Sequence, residues 1–173
     1  AEVGRIHTAS YLEELRRATA GELTVEGLHM GLGGPDTPVF PALLDYGLFA
    51  CGAGIEAANL LLSGKADISF NLLGGFHHAM PEKAAGFCFL NDVALACLHL
   101  ADAGKRVVYL DVDAHHGDGT QVMCYDRKDV FTISLHESGK SLFPWGGFED
   151  EIGEGPGRGF NANGVNNALI GNG

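Results

Sequence analysis

Polar side chains are concentrated in residues 111–119, which read Asp-Val-Asp-Ala-His-His-Gly-Asp-Gly. This stretch ends an apolar, β-branched run, so we predict a strand at residues 106–113. Because residues two apart share a face in extended backbone, Asp111, Asp113 and His115 are expected to project together. Carboxylate and imidazole groups at this spacing form a compact metal platform. The alternative is a solvated acidic loop with incidental histidines, which the buried strand directly before it disfavours.

A second polar cluster, Gly-Gly-Phe-His-His-Ala at residues 74–79, follows another predicted strand at residues 66–72. Adjacent imidazoles suit general acid–base catalysis near neutral pH. A surface pair of histidines, or two further metal ligands, would have the same sequence pattern. Asp111 and Asp118 are each expected to accept the far N–H of one of these histidines, which fixes its tautomer and raises its basicity.

The elements around these clusters alternate between strands and helices. We predict a third strand at residues 130–136, and helices at residues 10–17, 41–63, 91–104 and 120–125. Ser10 is the predicted cap of the first helix, and Asn91 or Asp92 of the third. This alternation is typical of a parallel sheet with helices on its faces, in which ligands bind beyond the carboxyl ends of the strands. The stretch after Gly146 is predicted to be irregular. Three strands are few for a complete doubly wound domain, so we expect part of a larger one.

The bulk composition limits the class of partner. The chain has 173 residues, enough for one domain, with 11 basic and 22 acidic side chains and a net charge of −11. That charge argues against direct binding to a nucleic acid. The apolar stretch at 43–62 is interrupted by polar residues and glycines, so we predict no membrane span and no signal peptide. Four cysteines without a CxxC pair indicate free thiols in a reducing cytoplasm.

Four motifs, in this order and spacing, resemble those of the histone deacetylase family, which includes bacterial acetoin-utilisation proteins. They lie at residues 74–79, 86–92, 111–119 and 132–136. The form of the first motif is closest to the class I and acetoin-utilisation branch. The resemblance implies an arginase/deacetylase-like fold, a three-layer α/β/α arrangement around a parallel sheet. It also implies that residues 1–173 form a single, partial catalytic domain that is incomplete at both ends.

The resemblance implies a metal centre as well. Asp113 and His115 match two ligands of a catalytic zinc ion, for which ferrous iron is a plausible substitute. The family's third ligand, an aspartate, and its oxyanion-stabilising tyrosine belong to motifs that this sequence does not contain. Asp111 and Ser134 match ligands of a structural monovalent cation, usually potassium.

The resemblance also implies the groups that handle protons and substrate. His78 matches the general base, with Asp118 as its partner, and His77 matches a second active-site histidine held by Asp111. Two further sets match substrate contacts: the channel wall at Gly86 and Phe87, and the rim aspartate at Asp36.

The implied activity is zinc-dependent hydrolysis of an N-acetyl amide with release of acetate. Acetyl-lysine, an acetylated polyamine and a small acetylated amine all fit as substrates, and the sequence does not indicate an oligomeric state. One alternative is an acyl-binding or inactive piece of such an enzyme, because two ligands hold zinc poorly. Another is a ureohydrolase-like metallohydrolase of the same fold. That class needs an aspartate where Gly117 stands, to hold a second metal.

Overall fold

The computed structural model describes residues 2–166, in which helices pack against a three-stranded sheet. The helices are α1 (Ala9–Thr19), α2 (Val25–His29), α3 (Leu43–Leu62), α4 (Asp92–Asp102) and α5 (Asp118–Cys124). The strands are β1 (Val107–Asp111), β2 (Val130–Glu137) and β3 (Asn161–Asn166). Two short 3-10 turns lie at Glu2–Arg5 and Gly155–Gly157.

The sheet has the order β1-β2-β3, and both strand pairs are parallel. A parallel pair needs a crossover connection, and α5 provides it between β1 and β2. In the register of β1 and β2, Asp111 pairs with Ser134. The predicted parallel sheet with helices against it is therefore confirmed, and the acidic cluster lies at the carboxyl end of β1.

The hydrophobic core lies where α3 packs along α4 and α4 packs against β1 and β2. Leu43, Leu90 and Leu95 are almost fully buried there. Tyr11 of α1 is also fully buried, and its hydroxyl donates to the carbonyl of Phe89 at 2.7 Å. This bond ties the N-terminal helix to the 86–92 motif, so the core directly supports the segment that leads to the site.

The predicted strand at residues 66–72 is wrong. The segment has no sheet partner, and the side chains of Ile68, Phe70 and Leu72 are 88%, 84% and 83% exposed. Their alternation is typical of a strand, but a strand also needs a neighbour to satisfy its backbone groups. No strand among residues 2–166 pairs with this segment. The alternating pattern alone therefore does not make it part of the sheet.

The irregular tail predicted after Gly146 is wrong for residues 161–166, which form β3 beside β2. The strand is rich in asparagine and contains Gly164, and both residue types have low strand propensity. For this reason the sequence pattern did not predict a strand here. Its asparagine side chains form hydrogen bonds with neighbouring elements. For example, Asn161 Nδ2 donates to Gln121 Oε1 of α5 at 2.9 Å. The rest of the atypical tail, residues 167–173, lies outside the described residues.

Helix starts agree with the sequence only in part. Asn91 caps α4 as predicted, with its Oδ1 accepting from the Ala94 N–H at 2.8 Å. The predicted cap of α1, Ser10, is wrong, because the Thr8 hydroxyl accepts from the Tyr11 N–H. Helix α5 begins at Asp118, two residues before its predicted start.

Two further predictions concern thiols and membranes. All four cysteines are buried and free, as predicted. Within residues 2–166, no helix has the length and apolar character needed to cross a membrane.

Candidate active site

The two polar clusters meet beyond the carboxyl end of β1. His77 Nδ1 lies 2.6 Å from Asp111 Oδ2, and His78 Nδ1 lies 2.7 Å from Asp118 Oδ1. Both hydrogen bonds predicted from the sequence are present. In each pair the ring N–H donates to the carboxylate, so Nε2 is the ring atom left to exchange a proton. We call these two pairs the His–Asp pairs.

Three of the four side chains in the His–Asp pairs are buried, and the environment of the His77–Asp111 pair shifts its ionisation. His77 and His78 are 8% and 4% exposed, and Asp111 is 6% exposed. Burial alone would lower the pKa of His77. The hydrogen bond to Asp111 and the neighbouring carboxylate charges outweigh burial and raise the pKa of His77 above its ordinary value. Conversely, burial would raise the pKa of Asp111, but the bonds that it accepts lower that pKa below its usual value.

The first turn of α4 holds the backbone of the histidine loop. The Asp92 carboxylate accepts the Gly75 N–H at 3.0 Å and the Phe76 N–H at 2.9 Å. Asn91 Nδ2 donates to the carbonyls of His77 and Ala79, at 3.3 and 3.1 Å. The sequence identified Asn91 or Asp92 only as a helix cap. Their contact with residues 74–79 depends on the fold, and no local pattern signals it.

Asp111 is fixed by groups on its own strand and on the loop after it. Its carboxylate accepts from the Tyr109 hydroxyl and from the Asp113 N–H, in addition to His77. A side chain at Gly117 would overlap Asp111 Oδ2 and come within 2.7 Å of the Tyr109 hydroxyl. The bare α-carbon of Gly117 therefore lets α5 begin beside Asp111. Tyr109 was missed by sequence reasoning, although its position two residues before Asp111 places it on the same strand face.

The predicted zinc ligands converge on one point. Asp113 Oδ1 lies 3.0 Å from His115 Nδ1 and accepts the His115 N–H at 2.7 Å. Two donors about 2 Å from one tetrahedral zinc ion lie about 3.3 Å apart, so the pair fits a shared ion. The two side chains are 51% and 42% exposed. Residues 2–166 contain no group of three or more His, Cys, Asp or Glu side chains that could hold a metal, so they supply two donors.

The residues predicted to contact substrate are divided between two cavities. Asp36 and Gly86 line one groove of about 260 Å³, together with Phe143. Phe87 instead lines a small apolar pocket of about 80 Å³ with Phe76. The Phe143 ring is 5.0 Å from the ring of His78, so it forms a wall of the groove close to the His–Asp pairs. Sequence reasoning gave Phe143 no role, because only the fold brings residue 143 to this place.

Gly86 lies directly against His78. Its φ is +50°, a conformation that favours glycine, and an added Cβ would lie 2.5 Å from His78 Cδ2. The same Cβ would lie 3.0 Å from the Phe143 ring. Gly86 therefore keeps the groove open next to the histidine that is predicted to act as the base.

The predicted monovalent-cation ligands are neighbours in the sheet. Ser134 is 4% exposed and pairs in register with Asp111, and its Oγ lies 2.8 Å from His136 Nδ1. Hydroxyl and carboxylate oxygens are the donors that hard cations prefer. The pair therefore has the right chemistry and placement for such an ion.

His116, next to the zinc donors, points away from them into the protein. It is 2% exposed and stacks on His136 with ring centroids 4.6 Å apart. Neither ring nitrogen has a hydrogen-bond partner within the described part of the chain. Burial lowers the pKa of His116 to about 4, so the ring is neutral near pH 7.

Comparison with known proteins gives a consistent result. The family model described as the histone deacetylase domain matches residues 1–171. The acetoin utilization protein AcuC of Bacillus subtilis is 42% identical over 164 residues, which cover 94% of this chain and 42% of that protein. Histone deacetylase 8 of Xenopus tropicalis is 39% identical, over 94% of this chain and 44% of that protein.

Solved structures agree with these sequence matches. A crystal structure of an HDAC homolog from Aquifex aeolicus superposes with a TM-score of 0.85 at 38% identity, covering 94% of this chain and 44% of that one. An HDAC homolog complexed with SAHA gives a TM-score of 0.86 at the same identity and coverage. The chain thus spans less than half the length of each of these four relatives.

Proposed function

This chain belongs to the histone deacetylase family, and we propose that it supplies the proton-transfer groups and two metal ligands of a deacetylase. The reaction is hydrolysis of the N-acetyl amide of an acetylated lysine or related amine, with release of acetate. The observation that carries this proposal is the placement of two His–Asp pairs beside a converging carboxylate–imidazole donor pair.

Asp113 and His115 would hold the metal, with zinc as the expected ion and ferrous iron as the substitute. Their donor atoms lie 3.0 Å apart, which suits one shared ion. When bound, such an ion polarises the amide carbonyl and lowers the pKa of a water molecule. A third ligand and an oxyanion donor are expected from residues outside those described.

His78 is proposed as the general base. Asp118 accepts its Nδ1 proton, so Nε2 is basic and available to take a proton from the attacking water. The same nitrogen then delivers a proton to the leaving amine. The bond to Asp111 raises the pKa of His77, so this ring can hold a proton and stabilise negative charge that develops nearby.

The groove indicates the class of substrate. Gly86 and Phe143 form its walls beside His78, and the exposed carboxylate of Asp36 is placed to accept a backbone N–H from a peptide. A net charge of −11 favours a neutral or cationic amine over a nucleic acid. Because an HDAC homolog of the same fold was solved with SAHA, we expect this groove to take that ligand too.

We also propose a monovalent cation, potassium, between Asp111 and Ser134. The two residues pair in register on adjacent strands, and both provide oxygen donors. An ion held by both residues would help to fix the end of β1 beside β2.

Two alternatives are disfavoured by particular contacts. A ureohydrolase-like site needs a carboxylate at position 117, but a side chain there would overlap Asp111. An acyl-binding protein without activity has no need of two His–Asp pairs, each with a hydrogen bond of 2.7 Å or less. The geometry therefore supports hydrolysis at a single metal ion.

The test is acetate release from an acetyl-lysine peptide and from an acetylated polyamine, with zinc present. Two proteins are compared. One is the 173-residue chain alone, and the other is the full natural polypeptide in which residues 1–173 occur. We expect activity from the longer polypeptide and at least about hundredfold less from the chain, because residues 2–166 supply two metal donors and no oxyanion tyrosine.

Matched variants complete this test. His78→Ala in the longer polypeptide should lower kcat by about 100-fold or more, the usual range for loss of a general base. His29→Ala, at an exposed position in α2, is the control and should leave the rate unchanged. Acetate release by the longer polypeptide that does not depend on His78 would contradict the proposal.

A further inference from the structure

His136 is a buried histidine at the carboxyl end of β2 with no role in the proposed chemistry. It is 1% exposed. Its Nε2 lies 2.9 Å from the carbonyl oxygen of Gly147, and its Nδ1 lies 2.8 Å from Ser134 Oγ. A carbonyl oxygen only accepts hydrogen bonds, so Nε2 must carry a proton. The position of Gly147 therefore determines the tautomer of this ring.

The protonation of Nε2 decides the direction of the second hydrogen bond. Both partners of His136 among the described residues are neutral, and its ring stacks on another buried imidazole, His116. With its proton on Nε2, the ring offers a lone pair at Nδ1, so Nδ1 accepts. The Ser134 hydroxyl must then donate its single proton to His136. Only the lone pairs of its oxygen are left for other partners.

The lone pairs of Ser134 face the position of the proposed cation. Paired residues on adjacent strands project from the same face of a sheet, so Ser134 and Asp111 lie side by side. The Asp111 carboxylate already accepts from His77, Tyr109 and the backbone of Asp113, and receives no proton from Ser134. A cation needs oxygen lone pairs and is repelled by a hydroxyl proton.

We propose that His136 is a positioning residue that makes Ser134 an acceptor-only ligand for a monovalent cation. The inference rests on the potassium site of the proposed function and goes beyond it, because it specifies how the hydroxyl proton is kept out of that site. His136 itself does not touch the ion. It acts through the hydrogen bond to Ser134.

The loop that sets the tautomer is firmly held. Glu151 Oε1 accepts the N–H groups of Gly147 and Phe148, at 2.9 and 2.8 Å, and its Oε2 accepts from Gln121 of α5 at 2.6 Å. Gly147 has φ +79°, and an added Cβ would lie 2.6 Å from His136 Nε2. The Gly147 carbonyl is therefore fixed in the direction that imposes the Nε2–H tautomer.

Two substitutions distinguish the roles of the two ring nitrogens of His136. In His136→Asn the amide oxygen takes the place of Nδ1 and keeps an acceptor for Ser134. In His136→Gln the longer amide reaches the place of Nε2 and keeps the donor for Gly147, but Ser134 loses its acceptor. The readout is the Tm of the 173-residue chain against KCl concentration, with choline chloride at equal ionic strength as the control.

We expect potassium to raise the Tm of the wild-type chain and of His136→Asn at similar concentrations. For His136→Gln the potassium concentration at half-maximal stabilisation should rise at least about tenfold, the effect of losing one well-oriented ligand. The reverse order, with His136→Gln responding and His136→Asn failing, would overturn the proposal.

The tautomer is measured separately by ¹⁵N NMR of the His136 ring in the wild-type chain. We expect Nε2 protonated and Nδ1 unprotonated. Protonation of Nδ1 would overturn the proposal even if neither substitution folded. If the wild-type chain shows the expected tautomer but no response to potassium, the cation site of the proposed function fails, and His136 orients Ser134 without a ligand role.

Discussion

The His–Asp pairs and the Asp113–His115 donor pair share the segment 111–119, yet they are built differently. His78 is 4% exposed and Asp111 6% exposed, whereas the side chains of Asp113 and His115 are 51% and 42% exposed. The buried carboxylate of Asp111 accepts three hydrogen bonds. The exposed donors bond chiefly to each other.

This difference separates two tasks that an active site must perform. A proton-transfer group needs a fixed tautomer and a low dielectric, and the described residues provide both through burial. A metal ligand must be reachable by the ion and by the ion's other ligands, and the exposure of Asp113 and His115 allows this. The proton-transfer half of the site is complete within residues 2–166, and the metal half is open. Three changes test this comparison.

The largest expected effect is on stability, from removing the buried carboxylate. Asp111→Ala leaves His77 and the Tyr109 hydroxyl without their acceptor, and should lower the free energy of unfolding by about 3–5 kcal/mol, as for a broken buried pair. Asp113→Ala breaks an exposed contact and should change it by less than about 1 kcal/mol. Urea denaturation of both variants checks this. Equal losses would show that the two halves are not built differently.

A slightly smaller effect is expected from acid, through His7. This side chain is 3% exposed, donates from Nδ1 to the Met80 carbonyl and accepts the Asn91 N–H at Nε2, so it joins the end of the histidine loop to the start of α4. Burial lowers the pKa of His7 to about 4. An unfolded chain then binds the proton more readily, so stability is intact above about pH 6.5 and is lost as pH falls towards 4.

The expected loss is about 3 kcal/mol at its limit, from a pKa shift of roughly two to three units. Unfolding free energies measured between pH 7 and pH 4 in the wild-type chain and His7→Gln test it. The variant should lose less stability over this range but still some, because the pKa of His116 is also lowered to about 4. His29→Gln, at an exposed position, should follow the wild type. An unchanged slope in His7→Gln would refute the assignment.

The smallest expected effect comes from adding one methyl group beside the base. In Gly86→Ala the new Cβ would lie 2.5 Å from the His78 ring, on backbone with φ +50°. Overpacking of this kind costs about 1–3 kcal/mol. Gly4→Ala has nothing within 4 Å of its Cβ and should change stability by less than about 0.5 kcal/mol. Thermal denaturation of both variants makes the comparison, and a neutral Gly86→Ala would mean that the His78 ring is free to move.

The His–Asp pairs could be predicted from the sequence because two adjacent imidazoles and the carboxylates of residues 111–119 are complementary hydrogen-bonding groups. Reasoning from strand patterns misplaced the sheet itself. Residues 66–72 have a strand pattern but no partner strand, and the Asn-rich strand β3 has a partner but no strand pattern. Whether a segment pairs depends on its neighbours in space, which a local pattern does not contain.

Other site residues escaped prediction for the same reason. Phe143 reaches the His78 ring, and Asp92 reaches the Gly75 N–H, across long stretches of chain. Tyr109 could have been predicted, since it shares a strand face with Asp111. Its hydroxyl was overlooked because the residue was assigned to an apolar strand. The catalytic and metal-binding roles assigned from the family stay predictions that the assays above decide.

The most direct test of the account is ¹⁵N and ¹H NMR of the histidine rings in the metal-free 173-residue chain, followed by titration with zinc. The account predicts that His77 and His78 already carry protected Nδ1 protons without metal, as their bonds to Asp111 and Asp118 require. Only the His115 ring should shift strongly as zinc is added. Nδ1 protons that appear on His77 and His78 only after zinc binds would contradict it, because the proton-transfer half would then depend on the metal for its assembly.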